Sequence, residues 1–168
     1  MATLIDRNGP RPDGWRFFDG DAGSIPARAD VLLPLDEWRE RAGAWSRHDG
    51  RIGLVLSPPD DPFTVAQDLP RFALLAVNFP RFTDGRGYSI ARLVRERLGY
   101  QGELRAVGDV LRDQLFLMAR CGFDSFALRA DQDPQAAHAA FRDFSVRYQA
   151  ATDQPLPLFR RRAERVAA

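Results

Sequence analysis

The chain has no lysine. All 24 of its basic residues are arginines, so every cation is a planar fork suited to carboxylate, sulfate or phosphate oxygens, and no side chain can form a Schiff base. Cysteine is almost as scarce. Cys121 stands alone, which excludes an internal disulfide and any cysteine cluster for zinc or an iron–sulfur centre. The two histidines, His48 and His138, are far apart in sequence, and neither sits in a Ser or Cys pattern that suggests a triad. No metal site is expected. A large charge excess is also lacking: the formal net charge is +1, which argues against a protein that coats nucleic acid or membrane. No apolar run approaches the roughly 18 residues of a membrane span. The stretch Met1–Gly14 is polar and carries no signal-peptide core, so the cytoplasm is the expected compartment.

What remains is a composition of globular type. Apolar residues make up 45% and charged residues 28%, enough to build a core at a length of 168 residues. Residues 1–30 are rich in Gly, Pro and Asp and read as an N-terminal extension packed on the domain, with a short strand at Trp15–Phe18. Residues 31–152 read as one α/β domain and 153–168 as a C-terminal tail that is flexible or lies along the surface. Leu35, Trp38, Ala42 and Trp45 share one face of a helix over Leu35–Ser46.

From residue 51 the pattern alternates. Strands are predicted at Arg51–Leu56, Phe72–Phe79, Glu103–Val107 and Asp124–Arg129. Helices are predicted at Thr64–Leu69, Tyr88–Leu98, Val110–Cys121 and Pro134–Ala150, with Asp109 as an N-cap and Gly99 and Gly122 as helix ends. The last helix should bury Ala137, Ala140, Phe141, Phe144 and Tyr148. Such repeated β-α units imply a mainly parallel sheet with flanking helices, either an open doubly wound sheet or a half-barrel.

Ligands of parallel α/β domains bind beyond the carboxyl ends of the strands. The segment after the second of these strands, Asn78–Ser89, combines Arg81, Asp84, Arg86, Gly87 and Tyr88 directly before a helix. Glycine lets a backbone approach a ligand, a helix start offers free N–H groups, and two arginines add bidentate contacts. The next loop supplies Asp109, Arg112 and Asp113. These eight residues are the candidate anion site, for a small oxyanion or a nucleotide. The same residues equally suit a closed ion-pair network, with Asp84 on Arg86 and Arg81 on Asp109 or Asp113, or a protein-contact surface. The short G-R-G element is neither a Walker loop nor a dinucleotide fingerprint.

The stretch FPRFTDGRGYSIARLVRERLGYQGELRAVGDVLRDQLFLMARCGFDSF, Phe79–Phe126, resembles a bacterial family of unknown function. The similarity runs from about residue 30 to 160. Members are often labelled probable oxidoreductases of sulfate assimilation and are encoded beside assimilatory sulfite reductase and phosphoadenylylsulfate reductase. The resemblance implies an accessory or interaction protein that acts with sulfite reductase. It brings no catalytic residue and no cofactor. Other readings are a small oxyanion- or nucleotide-binding enzyme or sensor built on Arg81–Tyr88, and a flavin-dependent oxidoreductase, although no flavin or nicotinamide fingerprint is present.

Overall fold

The computed structural model describes residues 3–167. There are eight strands, the inner ones built from short, largely aliphatic runs: β1 (Thr3–Asp6), β2 (Gly9–Pro10), β3 (Trp15–Phe17), β4 (Asp30–Pro34), β5 (Ile52–Leu56), β6 (Leu74–Phe79), β7 (Glu103–Gly108) and β8 (Ser125–Leu128). They form one sheet in the order β2-β1-β8-β7-β6-β5-β4-β3. From β3 to β8 each strand lies beside its successor and runs parallel to it. β1 is antiparallel to both β8 and β2, so the sheet is mixed.

This stepwise order removes the doubly wound alternative, in which the strand order reverses partway across the sheet. Successive right-handed crossovers in one direction place their helices on one face. The helices are α1 (Leu35–Trp45), α2 (Arg86–Arg92), α3 (Leu115–Arg120), α4 (Pro134–Ala139) and α5 (Leu158–Ala167). Leu33, Leu54, Val77, Ala106 and Phe126 of the strands share one core with Trp38, Ile90, Val94, Met118 and Ala137 of the helical layer. The other face of the sheet carries a second, smaller cluster around Leu32, Leu74, Ala76 and Val107.

The sheet is curled into a half-barrel, and chain length alone requires a curl. β2 and β3 are opposite edges of the sheet, yet only Arg11–Gly14 separate them in sequence. The five Cα–Cα steps from Pro10 to Trp15 reach roughly 17 Å when extended. Seven flat interstrand spacings would need roughly 34 Å. The strap Arg11–Gly14 therefore crosses the concave face. Residues 1–30, expected as an extension packed on the domain, enter the sheet through β1, β2 and β3.

Other differences have local causes. The helix expected at Val110–Cys121 starts later, at Leu115, because the Asp109 carboxylate is held by Phe82 and Arg129 and does not cap it. The segment Thr64–Leu69 resolves into two 3-10 turns, Pro62–Val65 and Leu69–Arg71. The helix expected over Tyr88–Leu98 begins at Arg86, and its last turn, Leu93–Arg97, widens to π geometry. Gly99 and Gly122 have φ of 67° and 105°, the left-handed conformation that ends a helix at low cost for glycine. The helix expected to reach Ala150 stops at Ala139 and tightens into a 3-10 turn, Ala140–Arg142. The residues beyond, Asp143-Phe144-Ser145-Val146, are poor helix formers. Ala137 and Ala140 are buried as expected, whereas Phe144 and Tyr148 are exposed. In the tail, Leu158–Ala167 forms α5.

Candidate functional site

The loops after β6, β7 and β8 meet at the carboxyl rim of the sheet. Arg129 joins two of them: its Nη1 donates to Asp109 at 2.8 Å, and its Nε and Nη2 both donate to Asp131 at 2.7 Å. The Arg129 hydrogen bonds hold the Asp131 carboxyl down at about 2. The other oxygen of Asp109 accepts from Phe82 N at 2.8 Å, and Gln114 Nε2 donates to Phe82 O at 2.9 Å. The rim is thus stitched by its own charged groups.

The eight candidate residues are distributed unevenly. Arg86 folds back on Asp84 through Nε at 3.0 Å and Nη2 at 2.7 Å, which lowers the Asp84 carboxyl and raises the Arg86 guanidinium. Gly87 is buried, and a Cβ on it would meet the Phe79 ring at 2.6 Å, so this glycine serves the packing of α2 on β6. Tyr88 packs edge-on against Phe79 at 5.3 Å, and burial pushes its hydroxyl up. Asp109 reaches this loop through Phe82. Arg112 turns the other way, donating to Ala136 O at 3.1 Å and to Asp143 at 3.1 and 3.2 Å. Asp113 is exposed. Arg81 has no hydrogen bond or ion pair to any described residue. Asp84 with Arg86, Asp109 with Arg129, and Arg112 with Asp143 are therefore three closed pairs, and the bridge weighed from Arg81 to Asp109 or Asp113 is absent among the described residues.

The concave face holds a polar cluster that sequence reasoning missed. Side-chain alternation places Glu103 and Arg105 of β7 and Ser125 of β8 on that face. Arg105 is 1% exposed and donates to Glu103 at 2.9 Å, Ser125 at 3.3 Å and Asp13 at 2.9 Å. Arg11 grips both oxygens of Glu103 at 2.8 Å. Burial pushes the Glu103 carboxyl up, but hydrogen bonds from Ser125, Arg105 and Arg11 outweigh it and leave it below the usual range. Two of these partners, Arg11 and Asp13, belong to the strap. The cluster pins the strap across the half-barrel. The signal for it was a charged residue at alternate positions of an otherwise apolar strand, E-L-R-A-V. At the carboxyl end of this face, Phe17, Leu32, Pro34, Val55 and Ser57 line an apolar groove of about 310 Å³.

A third feature lies on the helical side. Because the helix after β8 stops early, the following segment lies against α3, with Phe144 on Phe116 at 4.8 Å and Arg147 stacked over the same ring at 5.3 Å. Phe116, Phe144, Val146 and Tyr148 line a groove of about 400 Å³, flanked by Arg120 and Arg147. Phe144, Val146 and Tyr148 are 59%, 62% and 68% exposed, a concentration of apolar surface that marks contact sites on proteins.

Cys121 is buried, and burial pushes its thiol up, the reverse of an activated nucleophile. Among the described residues no group of three His, Cys, Asp or Glu side chains could hold a metal ion, and no helix is long and apolar enough to cross a membrane. A family model described as "Bacterial protein of unknown function (DUF934)" matches residues 53–159. No curated protein and no solved structure matches the chain.

Proposed function

The chain belongs to this bacterial family of unknown function, and from that membership we propose that it is an interaction protein of assimilatory sulfite reduction, docking on sulfite reductase through the Phe116–Tyr148 face. The observation that carries the reading is the exposed aromatic groove with its arginine flanks. Aromatic residues and arginine are the types enriched where partners bind, and the complementary surface is apolar with an acidic rim. The rim of the sheet supports the same reading from the other side. Asp84, Asp109 and Asp143 there are each occupied by an arginine of the protein itself.

The test mixes purified sulfite reductase with the purified chain and with its Tyr148→Asp variant. The wild type co-elutes with the reductase in size-exclusion chromatography and the variant does not. Separate elution of the wild type, with full reductase activity in a strain lacking this gene, overturns the reading.

A second reading keeps Arg81–Tyr88 as a site for a small oxyanion or nucleotide, because Arg81 is exposed and has no described partner. Calorimetry with sulfite, sulfate and adenylylated sulfate tests it. Loss of binding in Arg81→Ala, with an unchanged melting temperature, supports this second site, and absence of binding to the wild type removes it.

A further inference from the structure

Next to the aromatic groove is a smaller and more enclosed cavity of about 100 Å³. Its lining includes Arg7 from the β1–β2 turn, Arg120 from the end of α3, Arg142 from the turn after α4, and Arg147 and Asp153 from the segment beyond. Four arginines from four separate stretches of chain thus line one cavity with a single carboxylate, which Arg120 and Arg147 approach directly. That excess of positive charge in a confined space favours an anion, and arginine is the residue best shaped to grip oxyanion oxygens.

The local pairing is incomplete. Arg142 has no hydrogen bond or ion pair to a described residue, and Arg7 makes one long contact, to Ala119 O at 3.4 Å. Arg147 pairs with Asp153. Arg120 Nε stands 3.6 Å from Asp153 Oδ1, within ion-pair reach, yet both atoms are buried and neither has a hydrogen-bond partner. The two side chains are only 14% and 11% exposed. Buried polar atoms are nearly always satisfied, so a matched orphan donor and orphan acceptor in one cavity wall point to a group that accepts and donates at once.

Size narrows the class. A water occupies about 30 Å³ of liquid, so the cavity holds a group of a few heavy atoms, not a base or a flavin ring. Among tetrahedral oxyanions, phosphate keeps a proton at neutral pH, and monoesters keep one part of the time, with a second pKa of about 6. Sulfate carries acceptors only and meets the Asp153 carboxylate with repulsion. We infer that the cavity walled by Arg7, Arg120, Arg142, Arg147 and Asp153 binds a proton-bearing phosphate group and prefers it to sulfate. The phosphate oxygens take the arginines, and its hydroxyl donates to Asp153. The site shares Arg120 and Arg147 with the docking groove, but phosphate binding there needs no protein partner.

Calorimetry on the full chain at low ionic strength and pH 7 tests it with three probes: inorganic phosphate, glycerol phosphate and sulfate. Inorganic phosphate should bind at least tenfold more tightly than sulfate. Glycerol phosphate distinguishes the sources: affinity equal to that of inorganic phosphate assigns the site to phosphorylated metabolites, and weaker affinity assigns it to the free ion. Arg142→Ala should weaken phosphate at least tenfold with no change in melting temperature, because Arg142 has no described partner to lose. Asp153→Asn, whose amide can donate, should narrow the gap between phosphate and sulfate. Absence of phosphate binding, equal affinity for phosphate and sulfate in the wild type, or full affinity in Arg142→Ala overturns the inference.

Discussion

Arg105 Nη2 donates to Glu103 Oε1 at 2.9 Å across two positions of one strand, on the concave face of a sheet whose other face is covered by helices. The pair is the centre of the clasp that holds the strap. Breaking a buried ion pair from one side costs about 3–5 kcal/mol, because the remaining charge stays desolvated. Glu103→Gln should therefore lower the unfolding free energy, read from denaturant titration, by up to that order, since Asp13 still pairs with Arg105. Arg105→Met, which removes the charge from the buried position and keeps the volume, should cost less. Equal and small effects of the two would show that the cluster adds little.

The same carboxyl sets an acid limit. Its pKa in the folded protein lies below the ordinary 4.5. Its contribution is therefore complete above the unfolded value and is lost as pH falls through the folded one. Melting temperature measured from pH 7 downward should begin to fall near pH 4.5 and continue below it, and in Glu103→Gln this part of the profile should flatten. Asp131, lowered to about 2 by Arg129, acts in the same direction at the rim between its ordinary value of 3.8 and about 2.

Gly87 lies against Phe79, which is fully buried. A methyl group there has no room unless the ring moves. Gly87→Ala should destabilise by about 1–3 kcal/mol, the usual cost of overpacking, although alanine favours the helix intrinsically. A gain in thermal stability would contradict the packing described for α2.

Much of the fold was legible because hydrophobic period and punctuation agreed. The run Ile52–Leu56 is apolar throughout and Leu74–Phe79 is interrupted only by Asn78, as suits strands covered on both faces, and Pro, Gly and Asp lie at their ends. Local spacing does not decide the curl, since strand order depends on long-range pairing and on the strap Arg11–Gly14, whose turn-rich composition gives no sign that it spans two sheet edges. The early stop of the last core helix was hidden too: Phe144 and Tyr148 continue the helical spacing, and only low propensity argued against it.

The candidate site was legible in part. Asp84 and Arg86 were recognisable as a pair, because they stand two residues apart in a turn. The bridges from Asp109 to Arg129 and from Arg112 to Asp143 join loops 20 and 31 residues apart, a distance at which spacing carries no information. The same holds for the arginine-lined cavity, assembled from residues 7 to 153.

Hydrogen exchange of the chain with and without purified sulfite reductase tests the docking claim most directly. Protection should appear in the peptides covering Phe116–Leu117 and Phe144–Tyr148, and it should vanish in the Tyr148→Asp variant while the strand amides exchange as before. Protection confined to the Arg81–Tyr88 loop or to the groove at Phe17 and Ser57, or none at saturating reductase, would contradict it.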